Sequence, residues 1–122
     1  MLFIERAKDP AKGKLAFVGG FIDADEIAEI ALEREVREEV GLQVKNIQYL
    51  CNYPNSYHYK TITYPVLDFF FTAECVNMES KLDRSEVAGL HWLDPQEIKE
   101  SDLAFDSMQR AFRRWKKSHP NA

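Results

Sequence analysis

Residues 20–42 read GFIDADEIAEIALEREVREEVGL, and this stretch contains the best-defined helix pattern in the chain. From Glu26 to Val40 it contains neither glycine nor proline, and its apolar residues recur at helical spacing. Gly41 follows at once, as is typical of a helix C-terminus. We therefore predict a helix over residues 26–40. Its apolar stripe comprises Ile27, Ala28, Ala31, Leu32, Val36 and Val40.

Three glutamates of this helix, Glu35, Glu38 and Glu39, are spaced i, i+3 and i+4 and share one face. Like charges at that spacing destabilise a helix unless something neutralises them. Converging carboxylates suit a hard cation such as Mg2+ or Mn2+, which prefers oxygen ligands. For an arbitrary glutamate triplet a solvated acidic face is the commoner explanation, so the surrounding residues must decide.

Those residues follow the pattern G-x5-E-x7-R-E-U-x-E-E-x-G-U, in which U is a bulky aliphatic residue. The defined positions are Gly20, Glu26, Arg34, Glu35, Val36, Glu38, Glu39, Gly41 and Leu42. The fixed identities coincide by chance on the order of once in a billion start positions. This pattern is the Nudix box, and the sequence resembles the Nudix hydrolases over most of its length.

The resemblance implies an α/β/α sandwich around a mixed sheet, in one domain spanning residues 1–122. It also implies divalent-metal-dependent hydrolysis of nucleoside diphosphates linked to another group. Matched position by position, the metal ligands would be Glu35, Glu38 and Glu39, with the backbone carbonyl of Gly20 near the metal. Glu26 and Arg34 would pair and brace the loop against the helix. The general base would be Glu38, Glu39 or the more distant Glu86.

Outside the box, apolar and β-branched runs predict strands at residues 2–5, 44–51, 61–76 and 90–93. The intervening residues 52–59 hold asparagine, proline and three tyrosines, and we interpret them as a loop or hairpin. A closing amphipathic helix is predicted from Phe105, Met108, Phe112 and Trp115. The order of strands, helix, strands and helix places the fold in the α/β or α+β range.

Two departures from the family pattern lead to expectations about the loop geometry and about the edge of the sheet. Asp25 stands where Nudix sequences often have glycine, so we expect altered loop geometry and retained catalysis. Family members usually have another strand before the one that ends near Ile4, and Met1 leaves no room for it. A missing strand would leave a neighbour unpaired. We therefore expect a truncated chain or a homodimer in which a partner supplies the edge.

Substrate contacts are suggested by aromatic and basic side chains. Tyr53, Tyr57 and Tyr59 are candidates to stack on a nucleobase, although ordinary hairpin packing is the commoner explanation for any single tyrosine. Arg6 and Lys14 flank the glycine loop and are candidates to contact phosphates, although surface lysine and arginine seldom do so. A loose match around residues 49–56 to the NADH pyrophosphatase branch favours NADH or ADP-ribose as substrate.

Composition bounds the remaining choices. The chain has a net charge of −4 and no apolar run approaching the roughly 20 residues of a membrane span, so we expect a cytoplasmic protein that does not bind nucleic acid. Cys51 and Cys75 form no disulfide framework.

Two alternatives to the hydrolase remain: clean-up of nucleoside triphosphates, and a non-catalytic nucleotide sensor. Sensors often lose box glutamates, whereas this sequence keeps all of them.

Overall fold

The computed structural model describes residues 1–121, with Tyr59 described by its backbone alone. Its elements in chain order are β1 (Leu2–Arg6), β2 (Leu15–Ala16), α1 (Ala28–Val40), β3 (Val44–Tyr59), β4 (Ile62–Cys75), β5 (Val87–Trp92) and α2 (Asp106–Ser118). Single 3-10 turns at Pro95–Glu97 and Glu100–Asp102 connect β5 to α2. Among the described residues, no helix has the length and apolar character needed to cross a bilayer.

The central strand β1 separates two layers of core packing. Successive side chains of a strand point to opposite faces, so neighbouring residues Phe3 and Ile4 enter different layers. Ile4 belongs to a cluster that includes Val36 and Val40 of α1. Phe3 packs on the other side, in a cluster that includes Phe112 of α2. One helix therefore lies on each face of β1, which confirms the expected α/β/α arrangement.

Strand β1 is paired along both of its edges. It is antiparallel to β2 on one side, where Ile4 lies opposite Ala16, and to β5 on the other, where Ile4 lies opposite Leu90. An isolated parallel bridge joins Leu15 to Leu103 beyond β2. The unpaired neighbour expected from a missing first strand is therefore not β1.

Strands β3 and β4 form a long antiparallel ribbon, so for residues 52–59 the loop interpretation is wrong and the hairpin interpretation is confirmed. These residues continue β3, with Asn55 opposite Val66 and Tyr57 opposite Tyr64. The chain reverses at Lys60, whose φ of 57° is left-handed. Asparagine and proline favour turns locally, but cross-strand pairing decides strand formation. A ribbon exposes both edges, so a proline is tolerated in β3.

Helix α1 begins two residues later than predicted, at Ala28. Ile27 is the N-cap and is 61% exposed, so it does not belong to the apolar stripe. Just before it, Asp25 has a φ of 64°, the left-handed conformation that glycine adopts most easily. Aspartate is one of the few other residues that tolerate this conformation, so a tight turn forms without glycine.

Smaller boundary differences occur near the C-terminus. β5 begins at Val87, three residues earlier than expected. Phe105 lies just outside α2 as its N-cap. Trp115 was expected to continue the core stripe, but it is only half-buried and stacks on His119. Cys51 and Cys75 are free thiols, as predicted.

Candidate active site

Arg34 fastens the loop after the paired glycines to helix α1. Its Nε donates to Glu26 Oε2 at 2.8 Å and its Nη2 donates to Glu26 Oε1 at 3.0 Å, so the expected pair is present and bidentate. The same Nη2 donates to the backbone carbonyl of Phe21 at 3.0 Å. The hydrogen bonds from Arg34 hold the pKa of Glu26 below its ordinary value. Loop and helix are thereby held as one unit.

Arg34 also explains how like charges coexist on one helix face. Its Nη1 donates to Glu35 Oε1 at 2.9 Å and to Glu38 Oε2 at 3.1 Å. Glu38 turns toward this guanidinium and its side chain stays 56% exposed. Within residues 1–121, no three carboxylate, histidine or cysteine side chains are arranged so that they could hold a metal ion. The complete ligand set Glu35, Glu38 and Glu39 therefore remains a prediction.

Glu39 is the most perturbed carboxyl group of the site. Its Oε2 is buried and has no hydrogen-bond partner among the described residues. Burial raises the pKa of Glu39 to about 8, helped by the charge and hydrogen bond of Glu35 and by the charge of Glu86, while the Gly19 backbone N–H opposes the shift. The raised pKa favours a neutral Glu39 carboxyl group at pH 7 unless a cation neutralises it. An unpartnered carboxylate oxygen beside a second carboxylate fits a hard divalent cation.

Gly20 closes over the second carboxylate of this pair. A Cβ atom added at Gly20 would lie 2.6 Å from Cδ and Oε1 of Glu35. Any side chain at position 20 would therefore displace the Glu35 carboxylate. This close approach of the backbone to the carboxylate explains why the box has glycine at this position.

Glu86 is a third carboxylate near the acidic pair. Its charge contributes to the raised pKa of Glu39, and its Oε1 accepts a hydrogen bond from Lys8 Nζ at 2.7 Å. The sequence suggested Glu86 as a candidate base, whereas its contact with Lys8 could not be predicted because 78 residues separate the two in the chain. Their proximity is a product of the tertiary fold.

The other candidate substrate residues have structural partners. Arg6 donates to the Pro10 carbonyl at 2.8 Å and its guanidinium lies over the Phe105 ring. Lys14 donates to the Ser101 carbonyl at 3.0 Å. Tyr53 faces two arginines of α2, which are Arg110 and Arg114. The side chain of Tyr59 lies outside the described residues.

Tyr57 lines an apolar recess of about 510 Å³. Its walls are Phe21, Tyr57, Tyr64, Pro65 and Val66. The rings of Phe21 and Tyr57 meet edge to face with centroids 5.0 Å apart. Phe21 is exposed and follows the paired glycines directly, a signal in the sequence that could have marked it. Tyr64 and Val66 become part of the recess only because β4 pairs with β3.

Comparison with protein-family models matches the NUDIX domain over residues 1–115. The chain belongs to the Nudix family. The match extends from β1 into α2, and thus includes the acidic pair and both walls of the recess.

Two curated relatives of this Nudix chain are informative. It is 30% identical over 110 residues to the NAD-capped RNA hydrolase NUDT12 of Pongo abelii, covering 88% of this chain and 21% of that protein. It is 45% identical over 42 residues to the ADP-ribose pyrophosphatase of Methanocaldococcus jannaschii, covering 34% of this chain and 25% of that protein. The chain therefore spans a quarter or less of the length of these relatives.

A solved structure shares the fold. The NUDIX domain of Shewanella oneidensis NrtR, determined in complex with ADP ribose, superposes with a TM-score of 0.76 at 22% sequence identity. The superposition covers 97% of this chain and 76% of the other. At that identity the likeness establishes the Nudix fold alone.

The contact between Gly20 and Glu35 yields a testable prediction. Changing Gly20 to alanine displaces the Glu35 carboxylate, so we expect about 100-fold weaker Mg2+ binding or activity. The clash is with the end of a flexible side chain, so the melting temperature changes little. Gly19→Ala is the matched control, because a Cβ there meets nothing within 4 Å. Equal losses in both variants, measured by titration calorimetry with Mg2+, would contradict this account.

The raised pKa of Glu39 predicts a pH dependence. The folded chain binds more protons than the unfolded chain between the ordinary pKa of 4.5 and about 8. With chelator present, the free energy of unfolding should therefore fall as pH rises through that window. Glu39→Gln should remove this slope. Denaturant titrations at several pH values measure it, and the same slope in both proteins would sink the prediction.

Proposed function

We propose that this Nudix domain is a divalent-metal-dependent hydrolase. Its substrate is a nucleoside diphosphate derivative of the NADH, ADP-ribose or sugar nucleotide class, and the bond cleaved is the diphosphate. The observation that carries the proposal is the Glu35–Glu39 pair, in which Glu39 has an unpartnered buried oxygen and the Glu35 carboxylate lies against the Gly20 backbone. All acidic positions of the box are retained around it.

The residues that would hold Mg2+ or Mn2+ are Glu35 and Glu39, with Glu38 and the Gly20 carbonyl completing the oxygen donors. When bound, such an ion supplies the positive charge and Lewis acidity that diphosphate hydrolysis requires. Arg34 acts behind these ligands: its hydrogen bonds to Glu35 and Glu38 orient both carboxylates. Two ligands are thereby positioned by one planar guanidinium.

The proton of the attacking water needs a carboxylate acceptor within reach. Glu86 is the proposed base, since it is half-exposed and close enough to Glu39 to raise the pKa of that residue. Glu38 and Glu39 are the alternatives. Glu86→Gln should lower kcat with little change in KM if Glu86 accepts the proton.

The recess is the proposed binding site for a base of the substrate. Its aromatic walls offer faces and edges to any flat heterocycle, and its volume of about 510 Å³ is of the size of small-molecule sites. The relatives point the same way, because one is named for NAD-capped RNA and one for ADP-ribose. NADH and ADP-ribose are therefore the first substrates to test.

Removing the Phe21 ring tests the recess. Phe21→Ala should raise KM about tenfold and leave kcat within about threefold, because stacking on one base contributes roughly 1–3 kcal/mol. Ile22→Ala is the control, since Ile22 is the next residue, is also exposed and does not line the recess. Steady-state kinetics with ADP-ribose measures the effect. An equal rise in KM for both variants would refute the assignment.

The function itself is tested with a substrate panel of NADH, ADP-ribose, sugar nucleotides and triphosphates, with Mg2+ or Mn2+, comparing wild type with Glu38→Gln. Turnover of a diphosphate, lost with chelator or with the substitution, supports the hydrolase. Turnover of triphosphates alone would favour nucleotide clean-up. Binding without turnover would favour the sensor.

A homodimer in the cytoplasm completes the proposal. Supporting the dimer, Tyr49, Leu67 and Phe69 are large apolar side chains that lie exposed on the ribbon. The two free thiols suit a reducing compartment. Size-exclusion chromatography with light scattering tests the dimer, and a stable monomer would contradict it.

A further inference from the structure

The ion pair between Lys8 and Glu86 is placed where a substrate would pass. Lys8 Nζ lies 2.7 Å from Glu86 Oε1, and the two side chains are 54% and 46% exposed. Exposed ion pairs contribute little to stability, because water and salt screen them and two side chains must be ordered. A structural role is therefore a weak explanation for this contact.

The backbone around Lys8 is held without the side-chain pair. The Ala7 N–H donates to the Glu86 carbonyl at 3.1 Å, and the Arg6 N–H donates to the Lys14 carbonyl at 3.0 Å. These bonds keep the Arg6–Lys14 hairpin against the segment before β5. The Lys8 ammonium is thus free to change partners while its backbone stays in place.

Lys8 lies near both the acidic pair and the aromatic recess. Its partner Glu86 is close enough to Glu39 to raise the pKa of that group. Glu86 is also the main cause of the raised pKa of Lys8, with smaller contributions from Asp83 and Tyr57. Tyr57 is a wall of the recess. A substrate with its base in the recess and its diphosphate at Glu39 would therefore extend past Lys8.

The other cations suggested by the sequence or found at the site are engaged elsewhere. Arg34 is shared among the box carboxylates, including the bidentate contact with Glu26. Arg6 and Lys14 donate to backbone carbonyls of their surroundings. Lys8 differs from them because its partner is an exposed side-chain carboxylate, which a phosphate oxygen can replace.

We propose that Lys8 binds a non-bridging phosphate oxygen of the substrate by exchanging it for the Glu86 carboxylate. The inference rests on the proposed function and deepens it. The exchange replaces one charge-assisted hydrogen bond by another, so it needs no rearrangement of the hairpin. It also frees Glu86 when the substrate is in place, which couples substrate binding to the availability of the proposed base.

Steady-state hydrolysis of ADP-ribose with Mg2+ tests this exchange. Lys8→Met keeps the apolar stem and removes the charge, so KM should rise about tenfold. Glu86 is already free in that variant, so kcat should stay within about threefold of wild type. Lys8→Arg should restore most of the affinity. Lys12→Met is the matched control, because Lys12 is an exposed lysine of the same hairpin.

Glu86→Gln separates binding from positioning. If Lys8 contacts phosphate, Lys8→Met raises KM by at least the same factor in the Glu86→Gln background, because the competing carboxylate is absent there. A fall in kcat at unchanged KM, or loss of the KM effect in that background, would show that Lys8 acts only through Glu86 and would overturn the proposal. An equal rise in KM for Lys12→Met would overturn it as well.

Failure of the proposed function is distinguishable from failure of this inference. If wild type hydrolyses nothing in the panel, the hydrolase function fails. Titration calorimetry with ADP-ribose and with adenosine then tests whether Lys8 contacts phosphate. About tenfold weaker binding of ADP-ribose by Lys8→Met, with adenosine binding equal to that of wild type, supports the phosphate contact. Any other result, including equal weakening of both ligands, overturns it.

Discussion

Replacing Glu39 with glutamine should lower kcat at least about 10³-fold while the protein remains folded. The substitution keeps the shape of the side chain and removes the carboxylate that has an unpartnered buried oxygen. A neutral amide at this position cannot neutralise a divalent cation, so the Mg2+ concentration for half-maximal activity should also rise. With chelator present at pH 7, the free energy of unfolding should not fall, since the raised pKa favours a neutral Glu39 there.

Glu33→Gln is the matched control, because Glu33 is an exposed glutamate of the same helix. Its kinetics and Mg2+ dependence should equal those of wild type. Glu39→Gln with near-wild-type kcat would exclude Glu39 from the metal site and leave the acidic pair without a catalytic role. Circular dichroism of both variants separates loss of activity from loss of fold.

Replacing Arg34 has the second largest expected effect. Arg34→Met should lower kcat/KM about 100-fold, because the carboxylates of Glu35 and Glu38 lose the group that orients them. The free energy of unfolding should also fall, since the Glu26 carboxylate is left nearly buried without its bidentate partner. Arg34→Lys should recover little, because an ammonium cannot reproduce the bidentate fork.

Arg37→Met provides the comparison, since Arg37 is an exposed arginine on the same helix. Both activity and chemical denaturation are measured for each variant. If Arg34→Lys retained wild-type kcat/KM, the bidentate geometry would be irrelevant to catalysis. Arg34 would then serve as a generic counter-charge.

The helix and its acidic face could be predicted because their information is local. A period of 3.6 residues, an uninterrupted run of helix formers and Gly41 at the end specify α1 without reference to other elements. The contact of Arg34 with Glu26 was also accessible, because the loop and helix that carry them are adjacent in the chain. Even here, the sequence did not show that Glu38 turns toward Arg34.

The ribbon, the recess and Lys8 could not be predicted because they depend on distant partners. Residues 52–59 have the composition of a turn, and only pairing with β4 makes them a strand. Phe21 becomes a wall of the recess because the ribbon brings Tyr57 against it. The Lys8–Glu86 contact joins the hairpin after β1 to the segment before β5.

The two walls of the recess differ in how firmly they are anchored. Phe21 is tied to α1 through the hydrogen bond from Arg34 to its carbonyl. Tyr57 and Tyr64 face each other across the ribbon, close to its reversal at Lys60. A two-stranded ribbon has little stability of its own, so this end depends on what it touches. The recess therefore has one wall anchored to α1 and one wall on the less stable end of the ribbon. If the recess binds a base as proposed, the base should join the two walls and slow amide exchange at the ribbon tip more than at α1.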